Sequence, residues 1–201
     1  GKRLAHSPQM GWAKTMIESM LKSNGMTLDN VKLIPVTTGT EAANMLTERT
    51  IDGFCFPGGT ATVELQRTIG LRMIPMSQKA FDLFVPQYPG HELGIAPKGW
   101  EGTPEDTQTA LTYVGVWIRE GVNDITVYTM MKTLFENIGE LHQAHVKGKG
   151  FNLATAATRF EATTPFHSGV IRYYKEKGVW GAKEEAEQQK LLAKEKEIYG
   201  K

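Results

Sequence analysis

Along the first 76 residues, short apolar runs alternate with amphipathic runs, which is the pattern of an α/β protein. Thr38 lies three residues before Glu41, a spacing typical of a helix N-cap. Repeated strand–helix units with short links predict a parallel sheet with right-handed crossovers and helices on both faces. We predict strands over residues 3–6, 31–36, 51–56 and 71–76, and helices over residues 12–23, 42–47 and 61–69.

The pattern changes after Met76. Residues 86–104 contain four prolines and several glycines, which predicts a long surface excursion. A β-rich run predicts a strand over residues 107–119, and this strand lacks an obvious partner in the later part of the chain. We place a domain boundary before it, between residues 106 and 107. Further helices are predicted over residues 77–84, 127–146 with Asp124 as the cap, 165–178 and 181–199.

Composition and charge exclude several classes of partner. The 201 residues, of which 40% are apolar, suffice for one sizeable α/β domain or two small lobes. The net charge of +1 argues against nucleic acid and anionic lipid as partners. No apolar run approaches the length of a bilayer span, and the first residues lack the apolar stretch of a signal peptide. We therefore expect that any targeting segment has been removed or precedes this sequence.

Three loops follow the first three predicted strands, at residues 7–12, 37–40 and 57–60. Each contains glycine, and the set also carries hydroxyl groups from serine and threonine. In an open parallel sheet, ligands bind beyond the carboxyl ends of the strands, where loops lead into helix N-termini. These loops therefore predict a site for a carboxylate. The alternative is that the glycines serve turn geometry alone.

The remaining chemistry-bearing residues favour structural interpretations. Cys55 is interpreted as a small buried hydrophobic residue, and His6 as a hydrogen-bonded structural histidine. His142 and His145 beside Glu140 are interpreted as a solvated helix face rather than a metal site. Trp100, between two glycines, either closes over a ligand or covers apolar surface. We predict no catalytic residue, no metal and no cofactor.

Several segments together resemble one family. The segments PFHSGVIRYYKEKGVW (165–180) and VYTMMKTLFENIGEL (127–141) resemble the C-terminal part of the TAXI subclass of TRAP-transporter solute-binding proteins. Upstream, GKRLAHSPQMGWAKT (1–15), IDGFCFPGG (51–59) and PKGWEGTPEDTQT (97–109) resemble further parts of the same family in the same order. The resemblance covers nearly the whole chain.

This resemblance implies a three-layer α/β/α fold like that of the type II periplasmic binding proteins. It implies a non-catalytic periplasmic or extracytoplasmic receptor that closes on a small organic acid or amino acid and delivers it to the membrane permease of a TRAP transporter. Residues 1–106 would form the complete second lobe. Residues 107–201 would supply the crossover strand and C-terminal helices of a partial first lobe, so we expect family chains to carry an earlier stretch.

The expected ligand contacts combine the glycine loops with the resemblance. Gly58, Gly59 and Thr60 are expected to supply N–H and hydroxyl donors, and Trp100 to contribute from the crossover loop. The opposite wall is assigned to Gln9, Gly11 and Trp12. The family has a Gly-Ser-Gly-Thr-like loop where this chain has Met-Gly-Trp-Ala (10–13). This departure favours a ligand that is bulkier, flatter or less acidic than glutamate-like compounds.

Two other functional classes remain open at this point. An intracellular effector-sensing domain of a transcription regulator shares the two-lobed topology, and a helix-turn-helix encoded ahead of Gly1 would support it. A signal peptide there would reject it. An enzyme would require a nucleophile or an acid–base pair, and the sequence pattern indicates neither.

Overall fold

A computed structural model describes residues 1–112, 115–144, 148, 150–157 and 164–200. The chain divides into two compact units, Gly1–Thr112 and Tyr113–Lys201. The assignment of residues 1–106 and 107–201 to two lobes stays a prediction.

The first unit is built on a three-stranded parallel sheet. Its strands are β1 (Lys2–His6), β2 (Val31–Pro35) and β3 (Gly53–Cys55), in the order β2-β1-β3. In this register Ala5 pairs with Ile34 on one side and with Phe54 on the other. The mixed α/β class with a parallel sheet is therefore confirmed.

Helices cover both faces of this sheet. On one face, Ala5 and Ala42 belong to a buried apolar cluster against which Phe54 and Phe56 pack. On the other face, the Sγ of Cys55 lies 3.8 Å from the Sδ of Met16. The helices of this unit are α1 (Gly11–Ser23), α2 (Gly39–Thr47), α3 (Thr60–Thr68) and α4 (Gln78–Phe84), with a 3₁₀ turn at Leu28–Asn30.

An antiparallel pair of strands follows, β4 (His91–Ala96) and β5 (Thr107–Thr112). Three predictions were wrong here. Residues 71–76 form no strand, because they make only isolated backbone hydrogen bonds to other segments. In one of these, the N–H of Met76 donates to the carbonyl oxygen of Gln108 at 2.9 Å. The predicted excursion at residues 86–104 contains β4. The strand predicted over residues 107–119 ends at Thr112, and β4 is the partner that it was expected to lack.

The second unit is helical in the part that the structure describes. Its helices are α5 (Asp124–Glu136), α6 (Ile138–Ala144), α7 (Leu153–Ala156), α8 (Ser168–Glu176) and α9 (Ala182–Tyr199). The predicted helix 127–146 begins earlier, because Asn123 rather than Asp124 is the cap, and it breaks at Asn137. Its last residues, 145 and 146, lie outside the described residues.

Helices α5 and α8 pack closely around an apolar core. A Cβ at Gly169 would lie 2.6 Å from the backbone oxygen of Asp124, so this crossing requires glycine. The core consists of Val127, Ala157, Val170, Tyr173, Tyr174 and Trp180. Among the residues that the structure describes, none of the helices is both long and apolar enough to span a bilayer.

Candidate functional site

A cavity of about 310 Å³ lies in the first unit, beyond the carboxyl ends of β2 and β3. Helices α1, α2 and α3 begin in the loops that follow β1, β2 and β3. This is the edge at which open parallel sheets bind ligands. The cavity is lined by Met10, Gly39, Thr40, Phe54, Phe56, Pro57, Gly59, Thr60, Ala61 and Thr62.

Two of the three helices begin without a side-chain cap. The N-cap of α1 is Met10 and that of α3 is Gly59, and neither offers a side-chain acceptor to the first turn. Neither helix has an acidic residue in its first turn. Free N–H groups at a helix start carry partial positive charge and bind anions. The starts of α1 and α3 therefore present donors to an anionic group.

The start of α2 already holds a carboxylate. Glu41 Oε2 accepts hydrogen bonds from the N–H and the hydroxyl of Thr37, at 2.8 and 2.9 Å. The N–H of Glu41 in turn donates to the hydroxyl of Thr38 at 3.1 Å. The bonds from Thr37 hold the pKa of Glu41 below its usual range. The start of α2 therefore carries a negative charge, whereas the first turns of α1 and α3 carry no acidic residue.

The loop before α3 uses one of its own donors. The N–H of Gly59 donates to Thr62 Oγ1 at 2.7 Å, and the same hydroxyl donates to the carbonyl oxygen of Gly59 at 2.7 Å. The N–H groups of Thr60 and Ala61, together with the Thr60 hydroxyl, are the donors that this helix start offers instead. A Cβ on Gly59 would meet nothing within 4 Å, so Gly59 contributes open space to the cavity.

Of the seven residues predicted to contact the ligand, Gly59 and Thr60 line the cavity. Gly11 follows Met10, which also lines it, and Gln9 and Gly58 are exposed in the adjoining loops.

Trp12 and Trp100 are not among the residues that line the cavity. Trp12 packs in the cluster around Phe84, with its ring centroid 6.0 Å from that of His91. Trp100 lies in the loop before β5. That loop contacts the far end of α3, where the N–H of Gly102 donates to Gln66 Oε1 at 3.0 Å.

Sequence reasoning missed the apolar walls of the cavity. Phe54 and Phe56 face it from β3 and the loop that follows, and their alternate spacing is the signal that places both on one face. It also missed Tyr88. A Cβ on Gly11 would lie 3.0 Å from the hydroxyl of Tyr88, so a phenol stands beside the start of α1.

The other candidate groups supply no reactive centre. Burial raises the pKa of the Cys55 thiol to about 12, so the thiolate needed for nucleophilic attack is not formed near neutral pH. His142 Nε2 is bonded to the carbonyl oxygen of Phe151 at 2.8 Å, and His145 lies outside the described residues. In the described part of the chain, no three His, Cys, Asp or Glu side chains are grouped as metal ligands.

A second cavity, of about 390 Å³, lies in the second unit between α8 and the start of α9. Its polar side chains contact other side chains of the same unit. Lys175 Nζ lies 3.1 Å from Glu185 Oε2, and the Ser168 hydroxyl bonds to Asp124. The guanidinium of Arg172 lies over the Tyr128 ring at 4.6 Å. The Lys175 ammonium and the Ser168 hydroxyl are therefore already paired.

Comparison with known families agrees with this geometry. The model of the NMT1-like family matches residues 1–178. This is a family of the periplasmic-binding-protein type, whose members are solute-binding receptors, generally non-enzymatic and typically extracytoplasmic. Because the match spans most of the 201 residues, the chain belongs to the NMT1-like family.

Proposed function

We propose that the cavity of the first unit binds a small organic acid or amino acid, and that the protein is the solute receptor of a TRAP-type transporter of the TAXI subclass. One observation carries the proposal. The uncapped starts of α1 and α3 adjoin a single cavity of about 310 Å³, a volume suited to a small ligand.

In this proposal the carboxylate of the ligand lies between the two helix starts. The N–H groups of Thr60 and Ala61 donate from α3, and those of Gly11 and Trp12 donate from α1. Trp12 thus contributes its backbone, because its side chain belongs to the apolar cluster.

The entrance and the apolar wall of the site involve further residues. Gln9 and Gly58, both exposed, border the entrance, and the apolar part of the ligand lies against Phe54 and Phe56.

The partner that accepts the ligand is the membrane permease of the transporter, and the receptor acts in the periplasm or another extracytoplasmic space. The ordered TAXI-like motifs support this assignment.

Calorimetry with wild type and Gly59→Val tests the binding site. The probes are phenylacetate, isovalerate, glutarate and L-glutamate. Gly59 has φ −171°, an extended conformation that valine also adopts, so the new side chain enters the open cavity. We expect roughly ten-fold or greater loss of affinity, since the valine occupies ligand space.

Gly139→Val is the matched control, because a Cβ there also meets nothing within 4 Å but lies in α6. It is expected to leave binding unchanged. Equal affinities of wild type and Gly59→Val would place the site elsewhere.

A further inference from the structure

A cluster of aromatic rings packs beside the first residues of α1. The centroid of the His91 ring lies 4.9 Å from that of Phe84, edge to face, and 6.0 Å from that of Trp12. Phe84 is fully buried and stacks on Tyr88 with the ring centroids 5.4 Å apart. The half-buried imidazole of His91 therefore lies in apolar surroundings where α1, α4 and β4 meet.

This aromatic cluster contacts both residues of α1 that are proposed to donate to the ligand. Trp12 is one of them, and its ring packs beside His91. Gly11 is the other, and a Cβ there would lie 3.0 Å from the Tyr88 hydroxyl, so the phenol stands beside its backbone. His91 also bonds to Tyr88, because its Nδ1 lies 3.1 Å from the carbonyl oxygen of that residue. The packing around His91 thus borders the start of α1 at both donor residues.

The hydrogen bond to Tyr88 defines the state of the imidazole. A carbonyl oxygen only accepts, so the proton of the neutral ring lies on Nδ1 and Nε2 carries none. Burial lowers the pKa of His91 below its usual value, so the ring is neutral near pH 7. Protonation of Nε2 in acid would place a positive charge in the apolar cluster, where it is less favourable than in water.

The described elements that pack against His91 bring no ion-pair partner to it. Glu92, the next residue of β4, points to the opposite face by strand alternation, whereas Leu93 returns to the cluster. The residues that face His91 are Trp12 from α1, Phe84 from α4, Tyr88 from the loop after α4 and Thr112 from β5. The charge on a protonated His91 would therefore have no partner there.

His6 is a second histidine on the side of the sheet that α1 covers. It pairs with Cys55 in the register of β1 and β3, and the Sγ of Cys55 lies 3.8 Å from the Sδ of Met16 in α1. His6 is buried at the carboxyl end of β1. An effect of pH on the start of α1 must therefore be tested against both histidines.

We propose that His91 is a positioning residue for the start of α1, and that its protonation in acid weakens ligand binding at this helix start. The inference rests on the proposed function and adds regulation by pH to the same site. At neutral pH the uncharged ring packs against Trp12 and Tyr88 and holds the N–H groups of Gly11 and Trp12 in place. In acid the charged ring moves towards water, and this packing is lost.

The test is calorimetry of wild type and His91→Phe at pH 7 and at pH 5. The ligand is whichever of the four carboxylate probes wild type binds most tightly at pH 7. Phenylalanine keeps a ring beside Phe84 but cannot be protonated. From pH 7 to pH 5 we expect wild type to lose about three-fold or more in affinity relative to His91→Phe. Protonation of the probe itself affects both proteins alike, so the difference between them isolates His91.

Two further variants make the test specific. His6→Asn is the matched control, and it should keep the pH dependence of wild type. His91→Asn keeps an N–H that can donate to the carbonyl oxygen of Tyr88, and it should show the same weak pH dependence as His91→Phe. It replaces His91→Phe if the phenylalanine variant does not fold. By linkage, bound ligand should shift the titration of the His91 ring protons to lower pH, as measured by NMR.

The possible results separate the two proposals. Equal pH dependence of wild type and His91→Phe would overturn the inference and leave the proposed function standing. Loss of the pH dependence in His6→Asn would assign the effect to His6 and would also overturn it. Absence of binding by wild type to all four carboxylate probes at pH 7 would overturn both.

Discussion

The N–H of Gly59 donates a 2.7 Å hydrogen bond to the hydroxyl of Thr62, three residues later in α3. The same hydroxyl returns a bond to the carbonyl oxygen of Gly59, and Thr62 is buried. The glycine loop is therefore held by its own helix, and its shape does not depend on a ligand. The donors left for a ligand are those of the first turn of α3.

Thr62→Val should destabilise the first unit. Valine keeps the shape of threonine but leaves the Gly59 N–H without its acceptor, so we expect a loss of about 1–3 kcal/mol in the free energy of unfolding. Urea denaturation measures this loss. Thr68→Val is the control in the same helix, because Thr68 is exposed and bonds only to Glu64 O, and it should cost less than about 0.5 kcal/mol. Equal losses would show that the bond to Gly59 adds nothing.

Asp52 should make the stability of the sheet depend on pH in acid. Its carboxylate accepts a hydrogen bond from Arg3 Nε at 3.0 Å, linking β1 to the turn before β3, and these bonds lower the pKa of Asp52 to about 2. Because the pKa of Asp52 is lower in the folded than in the unfolded protein, its ionised carboxylate stabilises the fold above about pH 4. This stabilisation disappears as the pH falls towards 2.

Asp52→Asn should therefore unfold at a lower urea concentration than wild type at pH 7, and the difference should shrink between pH 4 and pH 2. Asp82→Asn removes the same charge from an exposed position of α4 and serves as the control. A difference between wild type and Asp52→Asn that is constant over this range would contradict the assignment of the pKa shift to the Arg3 pair.

Much of the first unit could be predicted from its sequence. The strand and helix of each early unit are adjacent in the chain, so apolar periodicity and the cap at Thr38 locate them without tertiary information. Strand β4 escaped prediction because polar His91 and Glu92 and a glycine interrupt its apolar pattern. Only its pairing with β5 shows it to be a strand.

Of the glycines predicted to contact a ligand, Gly59 lines the cavity, and the apolar walls of that cavity were not predicted. Phe54 and Phe56 look like core residues in the sequence, and the pairing of β3 with β1 decides that they border the cavity. Trp12 and Trp100 are expected as ligand contacts from the glycine loops together with the family resemblance. The Trp12 ring packs beside His91, and the Trp100 loop is hydrogen-bonded to the far end of α3.

Glu41→Gln should strengthen binding of a carboxylate probe. The substitution keeps a hydrogen-bond acceptor for Thr37 but removes the negative charge at the start of α2. We expect about a two-fold rise in phenylacetate affinity by calorimetry, since the charge is exposed and partly screened. Glu48→Gln, at the opposite end of α2, is the control. A fall in affinity with Glu41→Gln alone would show that Glu41 helps to hold the ligand.

Gly11 and Tyr88 should be energetically coupled. A Cβ at Gly11 would lie 3.0 Å from the Tyr88 hydroxyl, so Gly11→Ala forces the phenol to shift. We expect Gly11→Ala to destabilise wild type and to be neutral or stabilising when combined with Tyr88→Phe, which removes the clashing oxygen. Urea denaturation of the four proteins should give a coupling energy of about 0.5–1 kcal/mol. Additive effects would show that the hydroxyl moves aside without cost.

The most direct measurement is an amide NMR titration of the ¹⁵N-labelled protein with phenylacetate. We predict that the largest shifts occur at the amides of Thr60 and Ala61 in α3 and of Gly11 and Trp12 in α1, while the amides of α8 stay unchanged. Shifts centred on α8, or no shifts at the starts of α1 and α3, would contradict the claim that these two helix starts bind a carboxylate.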